Sequence, residues 1–232
     1  MYNRSAELYD QIYSFKNYKK EAAKLHLLIQ EHKHSTGNNL LEVACGTGSH
    51  ITYLKNDYSV EGLDLSPRML RLAKKKHPNI LFHRGDMVSF KLDKRFDAIT
   101  CLFSAIGHVK TKQRLGLAIR NMSRHLKPGG VLIVEPWFTP QQWREVSVHA
   151  NFVDRPELKI ARMNISKRRG RLSVMDMHHL VATPRRVEHF VERLELGIFT
   201  QDEYFDAFRS AKLEATYDPE GLMGRGLYIG TR

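Results

Sequence analysis

The chain has 232 residues, of which 37 are Lys or Arg and 25 Asp or Glu, a formal charge of +12, with 42% apolar residues. This length suits one large α/β domain with room for a small appendage and a sizeable core. It contains no run approaching the ~20 apolar residues of a membrane helix, no signal-peptide core in MYNRSAELYDQIY, so that it reads as cytoplasmic, and only Cys45 and Cys101, which rules out a disulfide framework or a four-ligand zinc module built on cysteines.

Residues 18–34 place Ala22, Leu25, Leu28 and Ile29 on one face, an amphipathic helix. After a turn, Leu40–Val43 is a short buried strand running into ACGTG. A strand at 59–63 and a helix at 66–76 follow, the helix capped by Ser66 with Pro67 at its first position. Strands at 79–83 and 96–103, a helix at 112–125, a turn at 126–130 and an apolar strand at 131–135 continue the alternation. Such alternation predicts a parallel sheet with helices on both faces. From about residue 151 the pattern changes: 158–166, 172–181 and 187–199 read as three strands joined by hairpin turns at 167–170 and 183–185, an antiparallel insertion. Thr200 caps a helix over 201–211 with Glu203 in capping-box position, and strands at 213–217 and 227–231 close the sheet.

Glu42-Val43-Ala44-Cys45-Gly46-Thr47-Gly48 lies between a strand and a helix. Glycines there let the backbone approach a ligand, and a helix start offers free N–H groups. The loop is not the dinucleotide pattern, because Ile51 stands where its third glycine would be, nor a phosphate loop, because Ser49-His50 follows Gly48. Asp64 ends the second strand and Gly85-Asp86-Met87 ends the third. All three features fall at carboxyl ends of parallel strands, where open α/β sheets bind ligands.

Taken together, Glu42–Gly48, Asp64, Gly85-Asp86-Met87 and Leu126–Gly130 before a strand resemble the signature set of class I S-adenosylmethionine-dependent methyltransferases. The resemblance implies a Rossmann-like, seven-stranded α/β sheet with a small antiparallel β insertion, and S-adenosyl-L-methionine as cofactor. By it, Gly46 and Gly48 pass under the methionine moiety, Asp64 takes the ribose hydroxyls, and Asp86 with Met87 frames the adenine. Tyr13, Ala44, Leu65 and Leu102 complete the implied cofactor set, Ala44 standing where the family often has glycine. Four further segments, Ala6–Asp10, Phe103–His108, Val134–Trp137 and Gly224–Leu227, resemble a narrower group: the N,N-dimethyltransferases of nucleotide-linked 3-amino sugars of the desosamine and mycaminose kind. That likeness implies a helical lid over 1–36, a cofactor-binding core over 37–150, an insertion over 151–199 serving as acceptor wall or homodimer surface, and closing elements over 200–232.

Methyl transfer to an amine needs alignment and a deprotonated nitrogen rather than covalent help. His108, after the fourth strand, is the candidate orienting residue or base, or else a packed histidine fixing its loop. Glu135 is a candidate hydrogen-bond partner for the acceptor, and Trp137 either walls the pocket or simply packs. Tyr9 and Ser104 join the implied acceptor set, and Arg225 is assigned by resemblance to the diphosphate, a role its fork suits. Other small amine or hydroxyl acceptors stay open. RNA contact through Lys167–Arg169 and Arg185–Arg186 is not expected, since no aromatics interleave with those charges. His178 and His179 point to opposite sides of a strand and no metal-ligand spacing occurs, so no metal is expected.

Overall fold

In the computed structural model, which describes residues 4–144 and 147–232, β1 (Asn39–Val43) is buried on both faces, as a central parallel strand must be. β2 (Ser59–Asp64) and β4 (Phe96–Cys101) flank it in parallel, with β3 (Leu81–Arg84) beyond β2 and β5 (Leu126–Val134) beyond β4. β11 (Leu227–Thr231) pairs antiparallel to β5 and β10 (Glu214–Asp218) antiparallel to β11, giving seven strands in the order 3-2-1-4-5-11-10. The chain winds outward from β1 to β3 and then restarts at β4 on the other side. A crevice therefore opens above the carboxyl ends of β1 and β4.

Alternating residues of the strands feed two cores. After a 3-10 turn at Ser5–Leu8 and the single-turn α1 (Tyr9–Ile12), α2 (Tyr18–His32), α3 (Ile51–Leu54) and α4 (Pro67–Lys76) cover one face. There Leu25, Ile29, Ile51 and Leu70 meet Leu40, Val131 and Ile133. α5 (Lys112–Arg124) and α6 (Gln201–Ser210) cover the other, where Leu115, Ile119, Met122 and Phe208 meet Leu41, Leu132 and Val134. Each such side chain, fully buried, stabilises by roughly 1.5–3 kcal/mol. The starts of α2, α4, α5 and α6 are capped by side chains: Asn17, Ser66, Thr111 and Thr200 each accept a backbone N–H of the first turn, and Glu203 closes the expected capping box. α2 is thus part of the core, and the shorter stretch before it runs over the crevice.

The second sheet is larger than the sequence suggested. It has four antiparallel strands, β6 (Ser147–Arg155), β7 (Leu158–Arg169), β8 (Leu172–Thr183) and β9 (Arg186–Gly197). The expected turn at 167–170 is strand as far as Arg169, because Gly170-Arg171 alone spans the hairpin; likewise Thr183 pairs with Arg186 around Pro184-Arg185. The expected turn at 126–130 is the start of β5, entered through a bulge: Phe96 pairs with Leu126, but Ala98 with Val131. Gly129, at φ +73°, makes that bulge possible, and its carbonyl accepts the N–H groups of His34 and Ser35. Phe96–Phe103 shortens to end at Cys101, because Phe103 and Ser104 turn to φ +52° and +59°.

Candidate active site

A cavity of about 790 Å³ lies between the carboxyl ends of β1, β2 and β4, the segment before α2, and the inner face of the four-stranded sheet. Of the residues singled out from the sequence, Tyr9, Tyr13, Ala44, Gly46, Asp64, Leu65, Asp86, Met87, Leu102, Ser104, His108, Trp137 and Arg225 line this one cavity. Gly48 and Glu135 do not.

The cofactor half is built by the turn after β1. Ala44 takes φ +58°, a left-handed conformation in which a side chain is strained, which accounts for glycine being usual there. Gly46 donates its N–H to Asp64 Oδ2 at 2.9 Å, and Ser66 donates to Oδ1 at 2.7 Å. Asp64 therefore shapes the turn, and its remaining lone pairs still face the cavity. Burial raises its pKa, opposed by those two N–H groups. A side chain at Gly46 would meet no atom within 4 Å, so open space lies over the turn. Gly48 lies outside the cavity lining: it sits at φ +72°, with His77 Cδ2 3.1 Å from where a Cβ would stand and His77 Nε2 2.9 Å from its carbonyl. Its need is conformational. Asp86 accepts from Val88 N–H at 3.0 Å and pairs with Arg114 at 2.9 Å, while apolar Leu65, Met87 and Leu102 border the same space. A carboxylate at the end of β2, an open turn and an apolar slot fit S-adenosylmethionine.

The segment before α2 is strapped across this half. Asp10 accepts from Thr47 Oγ1 at 2.5 Å and Ser49 Oγ at 3.1 Å, and pairs with Lys76 at 2.5 Å. Tyr13 packs against Tyr9 with ring centroids 4.6 Å apart and the rings tilted by 57°, and it accepts from Arg162 at 2.8 Å.

On the acceptor side, His108 has a buried Nδ1 with no protein partner, and burial, helped by Lys110, lowers its pKa to about 4. Ser104 Oγ donates to the Pro136 carbonyl at 2.6 Å, so it holds the wall. Trp137 Nε1 is buried and has no hydrogen-bond partner among the described residues. Glu135, expected to meet the acceptor, is fully buried behind the wall: Oε2 accepts Phe103 N–H at 2.6 Å and Oε1 faces Arg225 at 3.4 Å. Arg225 itself reaches the cavity among the rings of Phe103 and Trp137, each centroid 5.4 Å away.

The second sheet supplies site residues that sequence reasoning missed. Arg162, Asn164 and Ser166 alternate along β7, are 8%, 6% and 3% exposed, and line the cavity. Met163 and Ile165 between them are about half exposed on the outer face. The strand is inverted, polar inward and apolar outward, and that alternation was legible as a signal. Beside them on β8 and β9, Met175, Met177, Leu194 and Leu196 form an apolar patch packed with Trp137.

The residues 40–130 match the family model described as a methyltransferase domain. Over 97% of its length the chain is 39% identical to the dTDP-3-amino-3,6-dideoxy-alpha-D-glucopyranose N,N-dimethyltransferase of Streptomyces fradiae, covering 89% of that protein. It is 38% identical to the dTDP-3-amino-3,4,6-trideoxy-alpha-D-glucopyranose N,N-dimethyltransferase of Streptomyces venezuelae, covering 97% of this chain and 96% of the other. Its fold superposes on the crystal structure of Streptomyces venezuelae DesVI with a TM-score of 0.93 at 37% identity over 98% of both chains. It also superposes on SAM-bound CalS10, an amino pentose methyltransferase of Micromonospora echinaspora, at 0.88 and 36% identity, covering 100% of this chain and 98% of the other. The chain belongs to the S-adenosylmethionine-dependent methyltransferases, within the group of nucleotide-linked amino-sugar N,N-dimethyltransferases.

Proposed function

We propose that this protein methylates the amino group of a 3-amino deoxysugar carried on thymidine diphosphate. The observation that carries this reading is Arg162: a guanidinium 8% exposed, facing the cavity, with no carboxylate partner among the described residues. Its neighbours Tyr13 and Asn151 accept hydrogen bonds but bring no charge. A buried, uncompensated cation is costly and is offset by an anionic ligand, and a guanidinium takes a diphosphate bidentately. Arg225 adds a second contact whose charge Glu135 partly balances. Three relatives are named for dTDP-linked amino deoxysugars, two for 3-amino and one for a 4-amino sugar, which supports the same class.

In this reading, residues 5–16 form the lid, 37–144 with 200–232 the cofactor core, and the four-stranded sheet the acceptor wall. S-adenosylmethionine supplies an electrophilic methyl group when bound. Asp64 holds the ribose, Asp86 and Met87 the adenine, and Tyr9 and Tyr13 cover the space between cofactor and acceptor. The acceptor nitrogen attacks in line, so alignment is the protein's main contribution. His108, with a pKa near 4, is far less basic than an alkylamine and stays neutral. It accepts a hydrogen bond from the amine and aims the lone pair, while the amine's proton has already gone to water.

The outer face of the second sheet carries Val148, Phe152, Met163, Ile165, Leu180 and Val191, each 46–74% exposed. Val148 pairs with Ile165, and the patch crosses all four strands. A face so broad and apolar fits a second copy of itself across a twofold axis. Sedimentation tests this: a wild-type dimer that Met163→Glu converts to monomer supports the pairing, and a wild-type monomer removes it.

The acceptor is tested by mass spectrometry of TDP-3-amino-3,6-dideoxyglucose incubated with the protein and S-adenosylmethionine. A gain of one or two methyl groups establishes the acceptor class. No gain, with calorimetric cofactor binding intact, removes the amino-sugar reading and turns the search to other amines and hydroxyls.

A further inference from the structure

Three carboxylates and three basic side chains lie behind or within the cavity wall and run from its cofactor half to its acceptor half. Lys16 Nζ is fully buried, 2.7 Å from Glu21 Oε1, 2.7 Å from Met223 Sδ and 4.2 Å from the centroid of Phe103. Tyr18 lies 5.3 Å from the same ammonium. Glu21 Oε2 lies 2.8 Å from His50 Nε2, and His50 Nδ1 lies 3.3 Å from Glu42 Oε1. Glu42 and His50 bracket the glycine turn in sequence, so this branch ends at that turn. In the other direction, Phe103 carries Arg225 at 5.4 Å and Met223 Sδ is 3.4 Å from Arg225, which Glu135 pairs. Three carboxylates meet three cations, with Lys16 at the joint.

We propose that Lys16 is a positioning residue for methyl transfer: it ties the seat of the glycine turn, through Glu21 and His50, to the seat of Phe103 and Arg225 at the acceptor. This rests on the acceptor reading above for what occupies the second half. Lys16 does not itself line the cavity. A buried ion pair replaced on both sides by apolar groups is often neutral or stabilising, so stability alone does not account for an ammonium at this place. Its position does: the residue leads from the strap into α2 and contacts both halves of the wall.

The test uses the whole protein and two probes measured by calorimetry, S-adenosylhomocysteine for the cofactor half and thymidine diphosphate for the acceptor half. Lys16→Met weakens both by about tenfold, which corresponds to about 1.4 kcal/mol each, and Lys16→Arg restores most of both. With the amino-sugar substrate, the KM values for cofactor and acceptor rise together by more than kcat falls. Should Lys16→Met fail to fold, Glu21→Gln keeps shape and an acceptor oxygen for Lys16 while removing the joining charge, and weakens both probes by about threefold. A lowered melting temperature with both affinities within about twofold of wild type, or weakening on one side only, overturns the proposal. A wild-type protein that binds both probes yet leaves the amino sugar unmethylated would count against the acceptor reading and leave the Lys16 comparison standing.

Discussion

The carboxylate of Glu135 accepts the Phe103 N–H at 2.6 Å while facing the Arg225 guanidinium at 3.4 Å, so one buried side chain fixes two walls of the acceptor half. Phe103 needs this hold, because φ +52° is a strained conformation for a residue with a Cβ. Glu135→Gln keeps an oxygen for Phe103 but leaves Arg225, with an 11% exposed side chain, without its counter-charge. The expected loss is about 3 kcal/mol, or about 10 °C in melting temperature for a chain of this size. Adding Arg225→Met recovers much of it, since both charges then leave together. Scanning calorimetry of the two single variants and the double checks this.

Asp64 holds the glycine turn and, in the reading above, the ribose. Asp64→Asn retains one oxygen and much of the turn, and should weaken S-adenosylmethionine by about tenfold with little change in melting temperature. Asp64→Ala also strands the N–H groups of Gly46 and Ser66, and should cost about 1–2 kcal/mol of stability in addition. Titration calorimetry and thermal melts on the pair separate the two effects. Unchanged affinity in both variants would remove Asp64 from the cofactor site.

His50 links stability to pH. Burial alone would lower its pKa, but Glu21 and Glu42 outweigh burial and hold it near 9 against an ordinary 6.5. A histidine raised on folding contributes stability that is complete below pH 6.5 and is lost as pH rises through 9. Glu21, held below its ordinary value of 4.5 by His50 and Lys16 against the opposing effect of burial, contributes stability present above pH 4.5 and lost below it. The melting temperature should therefore decline between pH 6.5 and above 9, and His50→Gln should flatten that decline.

His108 gives a kinetic counterpart. With its pKa near 4, it does not change charge between pH 6 and 9, so the rise of kcat/KM over that interval should follow the acceptor amine. His108→Asn should lower kcat by about 10- to 100-fold without moving the midpoint of that rise. A midpoint that shifted with the substitution would make His108 the base instead.

The core sheet was legible because its strands are continuous apolar runs and its caps and turn residues stand at fixed offsets; Ser66 with Pro67 and Thr200 with Glu203 placed two helices to within a residue. Asp64 and Asp86 were legible from their place at strand ends. Glu135 was misread because a glutamate after a strand carries no mark of whether it points into the crevice or behind it; Phe103, with its unexpected backbone, decided that. Gly48 showed a need for glycine but not its cause, which is its left-handed backbone at φ +72°, with His77 packed beside it. β6 escaped notice because Val148, Ala150 and Phe152 alternate toward solvent, and Arg162 escaped because a basic residue in a strand reads first as surface. The charged chain through Lys16 joins residues far apart in sequence, and no local pattern announces it.

The inverted polarity of β7 bears on how the second sheet holds together. Arg162, Asn164 and Ser166 interrupt its inner face with polar side chains, and the apolar residues there fall into two separate patches, one around Ile160, Val181 and Phe190 and one around Met175, Met177, Leu194 and Leu196. Its strands are held by hairpin pairing and by these two small patches, whereas β1, β4 and β5 are locked between two layers of helices. Hydrogen exchange is therefore expected to be slower in β1, β4 and β5 than in β6–β9. If the four-stranded sheet walls the acceptor as proposed above, it opens locally while the platform beneath the cofactor stays folded, which suits release of a bulky nucleotide-linked product.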